Sequence, residues 1–252
     1  MRKLDLYDHD VTTVKQLGEH MVKVTYVASC RAAHVEDDRN KGCKGTVNVE
    51  KLANNISRAS SKVKELVLCN PWDYWCTFTI DKVKFDRYNL KGYVKRLGNF
   101  LRDYNKYCDP DDKVKYLFIP EMHKDGAWHM HGFIRGIRQQ DLYRNKNGYL
   151  SWRQYERTFG FISMKRIEGE RAIERLSSYM LKYMTKEIRN TIKELGAHSY
   201  YSSQGLQTAQ TLYKGHLQLH CDWDWKHPEG FCKVKTFDTR VDDIEEYLEV
   251  LP

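Results

Sequence analysis

Two histidines two positions apart, His129 and His131, lie in the segment IPEMHKDGAWHMHGFI, residues 119–134. On a strand, alternate side chains share a face, so both imidazoles leave the same side. Imidazole nitrogens are good ligands for transition ions. Ten histidines would give about 0.4 such pairs by chance, so the pair needs support. The turn before it supplies some. Lys124-Asp125-Gly126 fits a three-residue hairpin loop that ends in a left-handed glycine. That loop pairs His123 with Ala127, and therefore Glu121 with His129. Glu121, His129 and His131 then share one face, and His123 is a candidate further ligand. Two imidazoles and a carboxylate leave coordination positions open for a phosphate oxygen or water. Such a mixed site suits Mg²⁺ or Mn²⁺ and could accept Zn²⁺ or Co²⁺. A two-residue Asp125-Gly126 turn would instead pair Met122 with His129 and turn Glu121 away. The bland alternative is two exposed histidines on a sheet edge.

A second constellation is SSYMLKYMTK, residues 177–186. Tyr179 and Tyr183 are one helical turn apart, about 40° around the axis. Ile173, Leu176, Met180 and Met184 form the stripe that a helix would bury, with the tyrosines beside it. Lys186 falls on the tyrosine side and Lys182 nearer solvent. Seventeen tyrosines would give about one Y-x-x-x-Y by chance. The bland alternative is two flanking aromatics and two lysines lying along an apolar surface. Taken together, the two constellations describe one chemistry. A tyrosine hydroxyl can attack a phosphodiester and hold one end of the cut strand covalently. A metal would polarise the phosphate, and a lysine would offset its charge or assist proton transfer. Two tyrosines on consecutive turns could serve two successive transfers.

The surrounding elements have to position these groups. Tyr74 to Ile80, YWCTFTI, reads as a strand with Cys76, Phe78 and Ile80 buried and Thr77 and Thr79 on the other face. Leu90, Tyr93, Val94, Leu97, Leu101 and Tyr104 recur at helical spacing. Lys115–Met122 and Ala127–Arg135 read as two strands, with Trp128, Met130 and Ile134 facing the helices. A second amphipathic helix is expected from about residue 170 to 189. Val49–Leu66 has helical composition, and Met21–Val27 reads as a strand. Residues 31–46 read as a loop. Residues 199–219 read as a small β extension, and the acidic tail as a solvated terminal helix. Strand, helix, hairpin, helix implies an α+β domain with helices on one face of an antiparallel sheet.

Composition narrows the partners. The net charge is +8. Residues 237–252 hold six acids and one Arg, which leaves about +13 on the rest. That excess favours a polyanion such as nucleic acid. No run approaches the ~20 apolar residues of a membrane span, so no membrane partner is expected. The opening residues lack an apolar signal segment, and export is not expected. Seven cysteines without a C-x-x-C spacing suggest reduced thiols.

The segments CTFTID (76–81), E-x7-HMH (121–131) and YMLKYMTK (179–186) occur in the order found in HUH-type rolling-circle replication initiators. The chain resembles the Rep proteins of single-stranded DNA phages and related plasmids over about residues 66–190. Weaker similarity extends to LVLCNPWDYW (66–75) and YYSSQGL (200–206). The resemblance implies a ferredoxin-like HUH endonuclease core at 66–195. Residues 1–65 would then be an N-terminal extension, and 196–252 a C-terminal one carrying the acidic tail. It implies an enzyme that nicks and rejoins single-stranded origin DNA through a 5′-phosphotyrosine, with Mg²⁺ or Mn²⁺ on Glu121, His129 and His131. Tyr179 and Tyr183 match the paired nucleophiles of the two-tyrosine class, and Lys182 and Lys186 each follow one by three residues. The setting implied is the cytoplasm of a bacterial host. No G-x-x-x-x-G-K-[ST] occurs, so unwinding and synthesis would fall to a host helicase and polymerase. Alternatives with overlapping features are an HUH transposase or relaxase, a metal hydrolase without a covalent step, and a non-catalytic DNA-binding protein.

Overall fold

A computed structural model of the chain describes residues 7–31, 49–169, 171–191 and 198–250. The elements in chain order are β1 (Tyr7–Leu17), β2 (Met21–Arg31), α1 (Val49–Leu68), β3 (Tyr74–Thr79), α2 (Leu90–Asn105), β4 (Lys115–Met122) and β5 (Trp128–Arg135). They continue with β6 (Leu142–Arg144), β7 (Leu150–Trp152), α3 (Arg153–Thr158), β8 (Ile162–Arg166), α4 (Ala172–Thr191) and β9 (Tyr201–Ser202). The last are β10 (Gln210–Gly215), β11 (Leu217–Leu219), β12 (Trp225–Lys226), β13 (Cys232–Asp238) and β14 (Leu248–Val250). The chain divides into a larger unit, Asn48–Gln207, and a smaller one that joins Met1–Val47 to Thr208–Pro252.

The larger unit carries a seven-stranded sheet in the order β6-β7-β8-β3-β5-β4-β9. All its pairings are antiparallel. The α+β class with an antiparallel sheet is thus the observed one. The helix cover differs from expectation, because helices lie against both faces. On one face Tyr74, Cys76, Phe78, Phe118, Met130 and Ile134 meet α2 and Tyr155 of α3 in one core. On the other, Leu117, Ile119 and Phe133 meet Val63, Leu66 and Val67 of α1 and Met180 of α4. The cause lies in β4, whose residues 117–120 are buried in succession. A strand that alternates apolar and polar can leave one face wet; a continuous apolar run needs cover on both.

Helix α2 shows how local signals agree with the packing. Asn89 caps it by accepting the Gly92 amide at 2.8 Å. Leu90, Tyr93, Leu97, Leu101 and Tyr104 are its buried stripe. Central strands β4 and β5 approach closely at Gly132. A Cβ there would stand 2.0 Å from the Leu117 carbonyl oxygen. Gly132→Ala is therefore expected to destabilise the protein by about 2 kcal/mol or more, as overpacking against backbone does. Urea unfolding of the two proteins measures it.

The expected boundaries shift. A cut at residue 65/66 would fall inside α1, between Val63 and the equally buried Leu66 and Val67. The C-terminal cut at 195/196 moves to 207/208, because β9 pairs with β4 through Tyr201 and Phe118. The two extensions are one sheet, ordered β10-β1-β2-β13-β12. The acidic tail is not a terminal helix. Its apolar residues Phe237, Ile244 and Tyr247 pack with Val14, Val22 and Val24, and β14 pairs with β11. The 31–46 loop lies mostly outside the described residues. No disulfide joins the described cysteines. Among the described residues no helix is long and apolar enough to cross a membrane.

Candidate metal and nucleophile site

The β4–β5 turn takes the three-residue form. The His123 amide donates to the Ala127 carbonyl at 2.9 Å, and the Gly126 amide to the His123 carbonyl at 2.9 Å. Gly126 has φ +82°, the left-handed conformation that glycine adopts without penalty. Asp125 accepts the Ala127 amide at 3.1 Å and an Arg87 guanidinium N–H at 3.0 Å. The resulting register sets Glu121 opposite His129 and Ile119 opposite His131. Glu121, His129 and His131 therefore share a face, while Trp128 and Met130 lie in the core beneath α2.

The neighbouring strand fixes the imidazoles. Thr77 pairs directly with His131, and Thr79 with His129. Their Oγ1 atoms lie 3.1 Å and 3.2 Å from the respective Nδ1 atoms. A histidine that offers its Nε2 lone pair to an ion carries its proton on Nδ1, and a hydroxyl there holds both tautomer and ring direction. The threonines thus support the imidazoles rather than merely facing solvent. Glu121 Oε2 lies 2.5 Å from His131 Nε2, with the His and Glu side chains 11% and 14% exposed. The His129 ring stacks on His123 with centroids 3.7 Å apart and an interplanar angle of 11°. Burial pushes the His129 pKa down to about 4, and the neighbouring His123 and His131 push it the same way. Burial also lowers His131, opposed by Glu121. His129 is consequently in the ligating, uncharged form at neutral pH.

Among the described residues no three His, Cys, Asp or Glu side chains close on a single point. The structure brings Glu121 and His131 together and leaves His129 against His123 and Thr79. The donor set still fits a divalent ion: two imidazoles with Nδ1 tethered by threonine hydroxyls and one carboxylate, all on one face.

This geometry carries two expectations. Thr77→Val removes the hydroxyl at His131 Nδ1 while keeping the side-chain shape. Mn²⁺ affinity should fall about 10- to 100-fold, read by calorimetric titration, with little change in melting temperature. The second concerns pH. His129 titrates lower in the folded than in the unfolded chain, whose imidazole has its ordinary value of 6.5. The unfolded state therefore binds the extra proton first. This contribution to stability is whole above pH 6.5 and is lost as pH falls toward 4. Metal-free His129→Gln should show a flatter melting-temperature profile over that window than the parent protein; parallel profiles would contradict the assignment.

Helix α4 brings Tyr179 to the same face. The residue is 44% exposed and its ring meets Trp75 edge-on, with centroids 5.8 Å apart. Trp75 in turn stacks on His131 at 6.5 Å with an interplanar angle of 20°. One indole therefore separates the exposed phenol from the buried histidine. Sequence reasoning does not single out Trp75. The available signal is its position two residues before Thr77, which puts it on the same strand face. Lys182 is exposed one turn beyond Tyr179. Tyr183 and Lys186 belong to α4, but their side chains lie outside the described residues. Met180 is fully buried, with Ile173 and Leu176 packed nearby, as expected for this helix; the side chain of Met184, the fourth residue of the expected stripe, lies outside the described residues.

No curated protein and no solved structure matches the chain significantly. Residues 73–188 match the model of a family described as Replication-associated protein ORF2. That span starts just before β3 and ends within α4, so it contains Glu121, both histidines, both tyrosines and both lysines. The match supports a replication-associated protein and spans every residue of the site.

Proposed function

We propose that the chain is a rolling-circle replication initiator: a metal-dependent endonuclease of HUH type that nicks and rejoins single-stranded DNA through a phosphotyrosine. The observation that carries this reading is the Trp75 contact pair, which links an exposed tyrosine to the Glu121–His131 pair across a single ring. The family match over residues 73–188 favours replication over other uses of the same chemistry.

In this reading the Tyr179 hydroxyl attacks the scissile phosphorus. The bond from Tyr Oη to phosphorus forms as the bond to the 3′ oxygen breaks, and that oxygen leaves as a 3′-OH after taking up a proton. The tyrosine proton passes to solvent or a neighbouring base. Rejoining reverses these steps with a 3′-OH as the attacking group. Glu121, His129 and His131 would hold Mg²⁺ or Mn²⁺, which supplies Lewis-acid polarisation of the phosphate. Thr77 and Thr79 keep the imidazoles oriented. Lys182, and Lys186 in the same role, offset phosphate charge. Tyr183 on the next turn serves the second transfer. Origin DNA is the substrate, and a separate host helicase and polymerase open and copy the duplex.

The test uses a 3′-end-labelled single strand, Mn²⁺ and denaturing electrophoresis. The expected product is a labelled band that migrates with the protein and survives denaturation. Cleavage without such a band would point to a hydrolase. Binding without either product would point to a non-catalytic DNA-binding protein.

A further inference from the structure

The smaller unit contains a slot that the nicking chemistry does not use. Along most of one face of its five-stranded sheet, Val14, Val22, Val24 and Phe237 are buried with Leu217 and Leu219 of β11. Toward one end that face turns polar. Thr12, Tyr26 and Lys233 stand side by side on β1, β2 and β13, since Tyr26 pairs with both of the others. A cavity of about 340 Å³ opens there, lined by Asp10, Thr12, Tyr26, Leu217, Trp223 and Lys233 among others. This is near the lower end of small-ligand sites.

Three features give the slot a chemistry. The first is a ring pair. Tyr26 and Trp223 lie 6.5 Å apart at 53°, with Lys233 Nζ 5.3 Å from the Tyr26 centroid and 5.9 Å from that of Trp223. The second is a carboxylate held in an unusual way. Asp10 has φ 53° inside a strand, a conformation rare outside glycine. The ladder steps from His9–Ser29 to Val11–Val27 and omits it. Released from the ladder, its carboxylate accepts the Tyr26 hydroxyl. A carboxylate offers about four acceptor positions, so one hydrogen bond leaves capacity for a ligand. The third is a like-charge pair: Lys226 is directly opposite Lys233 across β12 and β13. Facing lysines repel each other, and an anion between them would offset that.

We propose that this slot takes one unpaired base of single-stranded DNA, guanine in preference to the others. The rings supply a stacking surface for the base. Asp10 accepts the adjacent N1–H and N2–H donors that guanine alone presents on its pairing edge. Lys233 and Lys226 take the phosphate, a contact that positions the strand without reading its sequence. The inference rests on the reading of the chain as acting on single-stranded DNA, and makes the smaller unit a sequence reader for it.

The test is fluorescence anisotropy of the full chain with labelled twelve-nucleotide oligothymidylates carrying one central dG, dA or dC. The dG strand should bind about five-fold or more tightly than the others. Asp10→Asn should reduce that preference below about two-fold. Trp223→Ala should weaken the dG strand about five-fold or more, and Trp223→Phe should keep most of the affinity. Circular-dichroism melting checks the fold of each variant, and the near-isosteric Asp10→Asn decides the matter if Trp223→Ala unfolds. No dG preference, or a preference that persists in Asp10→Asn, overturns the proposal. The adduct assay run beside it separates the two readings. A dG preference without adduct removes the nicking function and keeps the slot. An adduct without dG preference does the reverse.

Discussion

Phenylalanine at both Tyr179 and Tyr183 should abolish the covalent protein–DNA band and lower strand cleavage by about 10⁵-fold or more, the scale on which loss of a nucleophile acts. The substitution removes only the two hydroxyl groups. Tyr179 is exposed and touches Trp75 edge-on, a contact that phenylalanine keeps. The stripe that holds α4 in place, Met180 with Ile173 and Leu176, is untouched. Folding and affinity for DNA should therefore change little, since affinity rests on phosphate contacts made by cations. The two single variants then divide the labour. Tyr179→Phe alone should lose most of the first cleavage, because Tyr179 is the phenol beside Trp75. Tyr183→Phe should nick normally and fail in the second transfer, scored as accumulated single adduct on a substrate with two sites. A doubly substituted protein that still forms the denaturation-resistant band would remove tyrosine chemistry altogether.

The groups with the clearest local signal were legible in the sequence. Gly126 at the end of Lys124-Asp125-Gly126 fixes the turn, and a fixed turn with period-two alternation fixes which side chains face together. From that alone Glu121, His129 and His131 fall on one face, as the register has them. Helix α2 was legible because its stripe is regular and its cap is local. Other features had no local signal. Residues 117–120 of β4 are apolar in succession, and such a run does not say how many layers cover it. The sheet of the smaller unit joins β1 to β10, with Thr12 opposite Gly215, and nothing short-range announces a pairing across that much chain. Asp10 reads as an ordinary polar strand residue until its positive φ is seen. Trp75 lay in plain alternation with Thr77, yet its value depends on α4 arriving on the same face, a tertiary fact.

The second large effect is expected at His131. His131→Gln should cut Mn²⁺-supported cleavage by about 10³-fold or more, because a Lewis acid at the phosphate supplies several kcal/mol of stabilisation. Affinity for single-stranded DNA should stay within about three-fold, and the salt dependence of binding should keep its slope, since no phosphate-neutralising cation is removed. The structural cost must be separated from the chemical one. His131 stands 2.5 Å from Glu121 in a largely buried pair, and a buried polar group that loses its hydrogen-bond partner costs about 1–3 kcal/mol. Glutamine keeps a donor in reach of that carboxylate, and the double variant His131→Gln with Glu121→Gln removes its charge. Melting curves should therefore recover in the double variant while cleavage does not. A second readout is independent of turnover. Mn²⁺ should raise the melting temperature of the parent protein, and the rise should vanish in either variant. If His131→Gln cleaves at the parent rate, or if Mn²⁺ stabilises it as well as the parent, the imidazoles are structural and the ion belongs elsewhere. Loss of cleavage with unchanged DNA affinity, unchanged salt slope and no response to Mn²⁺ is the pattern that only a ligand at this position produces.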